Sequence, residues 1–126
     1  MADVKKLLMV DDDEDLLALL KLKLEKTGRY QVVNTTDGSK AVHLATEESP
    51  DLIVLDIEMP GMDGGEVANA LAESKHAKDI PVLFLSSLVS EADVAKNKGV
   101  IGGRNMASKK GSIQELIDRI ESMFQY

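Results

Sequence analysis

Short apolar runs alternate with stretches of helical period along this chain. The runs are Leu7–Val10, Tyr30–Val33, Leu52–Leu55 and Val82–Leu85, with a weaker fifth somewhere in Val100–Ala107. Runs this short, bounded by charge or proline, suit strands buried on both faces of a parallel sheet. The segments between them read as helices. From Asp13 to Lys26, Leu16, Leu17, Leu20 and Leu24 recur at three- and four-residue spacing, and Gly28 supplies a stop. Asp37 can cap a helix running to about Glu48, with Ala41, Val42 and Ala45 inward. Asp63 can cap a third, with Val67, Ala70 and Leu71 on one face, and Ser90 with Asp93 forms a capping pair for a fourth. The fifth is the clearest: Ser112 and Glu115 make a capping box ahead of the stripe Ile113, Leu116, Ile117, Ile120 and Phe124.

Five alternations of strand and helix imply an α/β domain, with parallel strands, right-handed crossovers and helices on both faces of the sheet. Ligands of such open sheets bind at the carboxyl ends of the strands, near the switch point of strand order. A chain of 126 residues is one domain by size, and no repeat, low-complexity tract or linker divides it.

Composition narrows the function classes. With 44% hydrophobic and 29% charged residues the chain reads as an ordinary globule. It has no cysteine, which excludes a disulfide scaffold and a thiolate metal site and fits a reducing compartment. A net charge of -7 and a pI of about 4.8 disfavour direct binding to nucleic acid. Lys5 and Lys6 precede an apolar stretch, Leu7–Val10, too short for a secretory core or a membrane span. A cytoplasmic location is expected.

Three strand ends carry acid or hydroxyl: Asp11-Asp12-Asp13, Asp56, and Ser86-Ser87. If the first and third strands are neighbours, Asp11, Asp12 and Asp56 converge. Clustered carboxylates repel one another and must protonate or share a cation. Hard oxygen ligands with room for water suit Mg²⁺. A carboxylate beside such an ion can attack a phosphoryl donor to give an aspartyl phosphate. Ser86 could donate to a phosphate oxygen, and Lys109 or Lys110 could pair with another. Each residue also has an ordinary explanation. Acids ahead of a helix usually serve as caps and dipole partners, which suffices for Asp13, Glu14 and Asp15. The case rests on the joint placement at one edge of the sheet.

The sequence resembles the response-regulator receiver family over essentially its whole length. Leu8-Met9-Val10-Asp11-Asp12 resembles the family's first strand and acidic pair. Leu52-Ile53-Val54-Leu55-Asp56, then Met59-Pro60-Gly61-Met62-Asp63-Gly64, resembles its phosphoacceptor strand and following loop, the most specific of these motifs. Ile80-Pro81-Val82 through Ser86 resembles its fourth strand and switch hydroxyl. The resemblance implies a flavodoxin-like (βα)5 sandwich with a five-stranded parallel sheet in the order 2-1-3-4-5. It implies that Asp56 accepts a phosphoryl group from a sensor histidine kinase or phosphotransfer protein. It further implies Mg²⁺ bound by Asp12 directly, Asp11 through water, Asp56 and the backbone carbonyl of Glu58. Ser86 and Lys109 would bind the phosphoryl group and shift a pre-existing equilibrium. The chain would then be a phosphoacceptor that assists its own phosphorylation and dephosphorylation, not an enzyme with turnover.

Three departures mark the second half, and Glu58 is a smaller fourth beside Asp56. Met106 stands where the family usually has an aromatic switch residue, and Lys110 where proline usually follows the lysine. A cis bond without proline costs roughly 3 kcal/mol, so a trans, reshaped loop is expected. The spacing to Ser112 favours Lys109 over Lys110 as the phosphate partner. Gly99, Gly102 and Gly103 should weaken both the fourth helix and the fifth strand. The Glu58 side chain should lie beside the acceptor and tune the lifetime of its phosphate. His43 and His76 read as solvent-facing, Phe84 and Phe124 as core, and Met59 and Met62 as loop-shaping.

The resemblance places output on helix four, strand five and helix five, a face that also admits a weak homodimer. The output protein is not legible. If the chain is complete, output is noncovalent; if it is cut from a longer regulator, the missing part holds the output. Two rival readings remain at this level: a pseudo-receiver acting by contacts alone, and a Mg²⁺-dependent phosphohydrolase using Glu58 as a second acid. The chain has no room for the cap domain and substrate pocket the latter needs. No nucleic acid or membrane partner is expected.

Overall fold

A computed structural model of the protein describes residues 3–59 and 62–124. Along the chain lie β1 (Lys5–Val10), α1 (Glu14–Lys26), β2 (Tyr30–Thr35), a 3₁₀ turn (Gly38–Lys40) and α2 (Ala41–Glu48). Next come β3 (Leu52–Asp56), β4 (Glu58–Met59), β5 (Met62–Asp63) and α3 (Gly64–Glu73). The remainder is β6 (Val82–Ser86), α4 (Glu91–Lys96), β7 (Val100–Ile101), β8 (Arg104–Ser108) and α5 (Ile113–Ser122). The main sheet runs β2-β1-β3-β6-β8-β7. Its first five strands are parallel, in the expected flavodoxin-like order.

Burial on both faces follows from the side-chain period of two. Leu7 and Met9 of β1, Leu52 and Val54 of β3, and Leu83 and Leu85 of β6 pack on one face against Leu17, Leu20 and Leu24 of α1 and Leu116, Ile117 and Ile120 of α5. Their neighbours Leu8, Val10, Ile53, Leu55 and Phe84 pack on the other face with Ala41 and Ala45 of α2, Val67 and Leu71 of α3, and Val94 of α4. On α3 the third inward residue is Ala68, half-buried, whereas Ala70 is exposed. Alanine is too small to mark a helix face by itself. Phe84 is core, and Phe124 is half-buried with its ring 5.7 Å from that of Tyr30.

The helix caps follow the side chains. Asp13 accepts from the Leu16 amide, and Ser90–Asp93 and Ser112–Glu115 both close reciprocal capping boxes. Asp37 caps the 3₁₀ turn ahead of α2 rather than α2 itself. The Asp63 side chain, expected to cap α3, lies outside the described residues, as do Pro60 and Gly61.

The largest difference from expectation is a sixth strand. β7 pairs antiparallel with β8, Val100 opposite Asn105 and Ile101 opposite Arg104. Between them Gly102 and Gly103 take φ of +61° and +78°, the left-handed pair that a two-residue hairpin turn demands. The glycines therefore specify a turn instead of merely weakening two elements. Just before it, α4 stops after six residues. The Lys98 amide reaches the Ala95 carbonyl and the Gly99 amide the Val94 carbonyl, a Schellman ending with Lys98 at φ +54°. Arg119 of α5 fastens this hairpin: Nε donates to the Met106 carbonyl at 3.0 Å and Nη2 to the Gly99 carbonyl at 2.9 Å. All described peptide bonds are trans, Lys109–Lys110 included.

Candidate functional site

Strand register builds the site. Val10 pairs with Leu55, so Asp11 and Asp56 leave neighbouring strands side by side. Asp56 sits opposite Leu85, and Ser86 opposite Ser108. The Lys109 amide donates to the Ser86 carbonyl at 2.9 Å, which carries the lysine to the same edge. Carboxylate oxygens of Asp11, Asp12 and Asp56 all lie within 4.8 Å of one another. Asp11 is fully buried and Asp56 is 1% exposed, while Asp12 faces solvent.

Lys109 is the cation of this pocket. Its Nζ stands 2.9 Å from Asp11 Oδ2, 3.1 Å from Asp11 Oδ1 and 3.2 Å from Asp56 Oδ2. Lys110 is exposed, and its amide donates to the Ser108 hydroxyl. The choice between the two lysines is thus made by geometry. Burial alone would lower the proton affinity of Lys109, but the bonds to Asp11 and Asp56 outweigh it and hold the ammonium charged. The second oxygens have backbone partners: Asp11 Oδ1 accepts from the Asp13 amide and Asp56 Oδ1 from the Glu58 amide, each at 2.9 Å.

These bonds do not fully compensate the buried charge. Burial, with the Asp56 charge adding to it, pushes Asp11 up to about 6 against the pull of Lys109 and the Asp13 amide. Asp11 Oδ2 is buried and takes no well-aligned hydrogen bond, although Lys109 is close. Three converging carboxylates, with a buried Asp11 oxygen that has an ion pair but no aligned hydrogen bond, fit a hard divalent cation.

Glu58 lies beside Asp56, as expected, but with a specific set of partners. One carboxylate oxygen accepts a hydrogen bond from the Ser86 hydroxyl. The other accepts from the Ser87 amide at 2.6 Å and the Ser87 hydroxyl at 2.7 Å. Burial opposes its charge, yet these three donors outweigh burial and hold the carboxyl below its ordinary range. Ser86 is 2% exposed, and its oxygen also accepts from the Leu88 amide at 3.0 Å. Ser87 was legible only as part of the hydroxyl pair that ends the fourth strand, and Ser108 was not legible as a site residue. Ser108, buried, donates to the Val89 carbonyl at 2.6 Å and so ties β8 to the loop that follows β6. A serine next to the site lysine carries no distinguishing signal in one sequence.

Met106 is buried at the position of the expected aromatic switch, opposite Phe84 in the register. Arg104, two residues earlier, lies over the Phe84 ring at 4.8 Å. His43 is exposed on α2 beside Glu47, and His76 is exposed in a turn. Met59 is buried, while the Met62 side chain lies outside the described residues. Among the described residues no helix is long and apolar enough to cross a membrane.

A doubly wound sheet with acids at the ends of β1 and β3, a hydroxyl at the end of β6 and a lysine after β8 defines a receiver. The chain belongs to the response regulator receiver domain family, whose model matches residues 7–121. It is 37% identical over 122 residues to the alkaline phosphatase synthesis transcriptional regulatory protein PhoP of Bacillus subtilis, covering 96% of this chain and 49% of that protein. The chain thus spans about half the length of that relative. Its fold is similar to the receiver domain of the Francisella response regulator 1452 (30% identity, TM-score 0.73, 96% and 97% of the two chains). It is also similar to the chemotaxis response regulator CheY4 of Vibrio cholerae (26% identity, TM-score 0.76, 94% and 98%).

Proposed function

We propose that the chain is a stoichiometric phosphoacceptor in a two-component relay, taking a phosphoryl group on Asp56 from the phosphohistidine of a kinase or phosphotransfer protein. The convergence of Asp11, Asp12 and Asp56 around Lys109 carries this reading. An Asp56 carboxylate oxygen would attack phosphorus as the bond to the donor nitrogen breaks and the leaving imidazole takes a proton. Lys109 would pair with a phosphoryl oxygen, released from Asp56 as that carboxylate becomes an ester-like acyl phosphate. Ser86 would donate to a second oxygen. Asp11, Asp12, Asp56 and the Glu58 carbonyl would hold Mg²⁺, which supplies charge neutralisation to the transferring group. The output face would comprise α4, β8 and α5, here extended by the β7 hairpin.

The test is incubation with acetyl phosphate and Mg²⁺, followed by intact mass. A gain of one phosphoryl group that vanishes when the metal is chelated is expected. A folded protein that gains no mass and binds no beryllofluoride would refute the reading.

Asp11 gives this reading a pH signature. A carboxyl raised in the folded state binds its proton more tightly there than in the unfolded chain. Its contribution to stability is complete at low pH and is lost as pH rises through about 6. A divalent cation competes with that proton. Mg²⁺ should therefore raise the melting temperature most above about pH 7, with the gain fading as pH falls through about 6. Thermal melts with and without Mg²⁺ across this range check it; a gain that grows toward acid would contradict the assignment.

A further inference from the structure

We propose that Glu58 is a positioning residue that holds the resting state by occupying the Ser86 hydroxyl, so that phosphoryl binding must displace it. The inference rests on Asp56 being the acceptor. Ser86 has a single hydroxyl proton, and it is donated to the Glu58 carboxylate. The acceptor side of the same oxygen is filled by the Leu88 amide. A phosphoryl oxygen on Asp56 could gain the Ser86 bond only by taking that proton's direction away from Glu58. The two partners are mutually exclusive.

Glu58 is held by more than Ser86. The Ser87 amide and hydroxyl both converge on its other oxygen. One carboxylate on β4 therefore gathers three donors from the last residue of β6 and the residue after it, and pins the start of the loop leading to α4. The far part of that loop is pinned separately, where Ser108 holds the Val89 carbonyl. Release of Glu58 would free the near half alone, and Ser86 could then turn toward the phosphoryl group. Bonds to an ionised acceptor are stronger than neutral ones, so the resting arrangement is favoured until a competing anion arrives. A ligand shifts such an equilibrium only by its differential affinity for the two arrangements, and here that difference lies in who receives the Ser86 proton.

Glu58→Gln keeps the shape and removes the charge. It would also remove simple repulsion between Glu58 and an anion at Asp56, so the test must separate the two. Beryllofluoride binding with Mg²⁺ is to be titrated in the wild type, Glu58→Gln, Ser86→Ala and the double variant. Glu58→Gln should bind about tenfold tighter than the wild type, the equivalent of one charge-assisted hydrogen bond. With Ser86 already removed, the same change should matter by less than about twofold. An equal gain in both backgrounds would leave only repulsion and overturn the proposal, as would no gain in either.

A second readout needs no substitution. The Ser87 amide, bonded to a carboxylate at 2.6 Å, should resonate downfield in the wild type and move upfield as beryllofluoride saturates the site. An amide that stays downfield at saturation would refute displacement. If neither the wild type nor Glu58→Gln binds beryllofluoride, Asp56 is not an acceptor, and the proposal falls with that reading rather than by its own fault.

Discussion

Asp56→Asn should abolish the mass gain from acetyl phosphate entirely. The carboxamide has no anionic oxygen to attack phosphorus, so the covalent route closes rather than slows. The replacement is isosteric in a site where Asp56 is 1% exposed, and its oxygen can still accept from the Glu58 amide. Lys109 loses one of its two carboxylates but keeps Asp11. Clustered charge also falls, because Asp56 is one of the influences that raise Asp11. The gain and the loss oppose each other, so stability should change by no more than about 1 kcal/mol. Intact mass and a thermal melt on one preparation check both halves. A phosphoryl group that persists in a folded Asp56→Asn protein would place the acceptor elsewhere and sink the assignment.

How much of this was legible follows from the range of each interaction. The strands could be read because β1, β3 and β6 are buried on both faces, which leaves unbroken apolar runs. The capping boxes could be read because both partners lie three residues apart. Asp11, Asp12 and Asp56 could be brought together because alternation implies parallel strands that end at one edge, while the order that makes β1 and β3 neighbours came from the resemblance to the receiver family. Lys109 was separable from Lys110 only by its spacing to the last helix.

What escaped depended on contacts distant in sequence or on backbone conformation. Glu58 meets Ser86 and Ser87 across 28 and 29 residues, and no local pattern announces it. The β7 strand is two residues long, too short to show a period. Gly102 and Gly103 were weighed for their entropy, whereas their positive φ is what closes the hairpin. The same lesson holds for the second half of the domain as a whole. A shortened α4, a left-handed Lys98 and an Arg119 bound to two backbone carbonyls replace regular packing with specific hydrogen bonds.

Gly64→Ala should be far more damaging than a single methyl suggests, for a reason the motif alone does not reveal. Gly64 opens α3 and is buried against the chain just past Asp56. A Cβ there would stand 2.4 Å from the Ile57 Cα and 2.8 Å from the Asp56 carbonyl oxygen. Both are backbone atoms, so no side chain can rotate away. The Ile57 amide is itself bonded to the Leu85 carbonyl at 3.1 Å, which fixes that segment to β6. Either α3 lifts, drawing Val67 and Leu71 from the core, or the end of β3 shifts and carries Asp56 with it. The first route costs stability, about 3 kcal/mol, or a fall in Tm of roughly 10 °C. The second misplaces the nucleophile and should slow phosphorylation by at least about tenfold. Gly28→Ala is the matched control: its φ is +79°, but a Cβ would meet nothing within 4 Å. That change should cost only about 1 kcal/mol from backbone strain and leave phosphorylation unaltered. If the two variants melt together and phosphorylate at the same rate, close approach at Gly64 does not position Asp56.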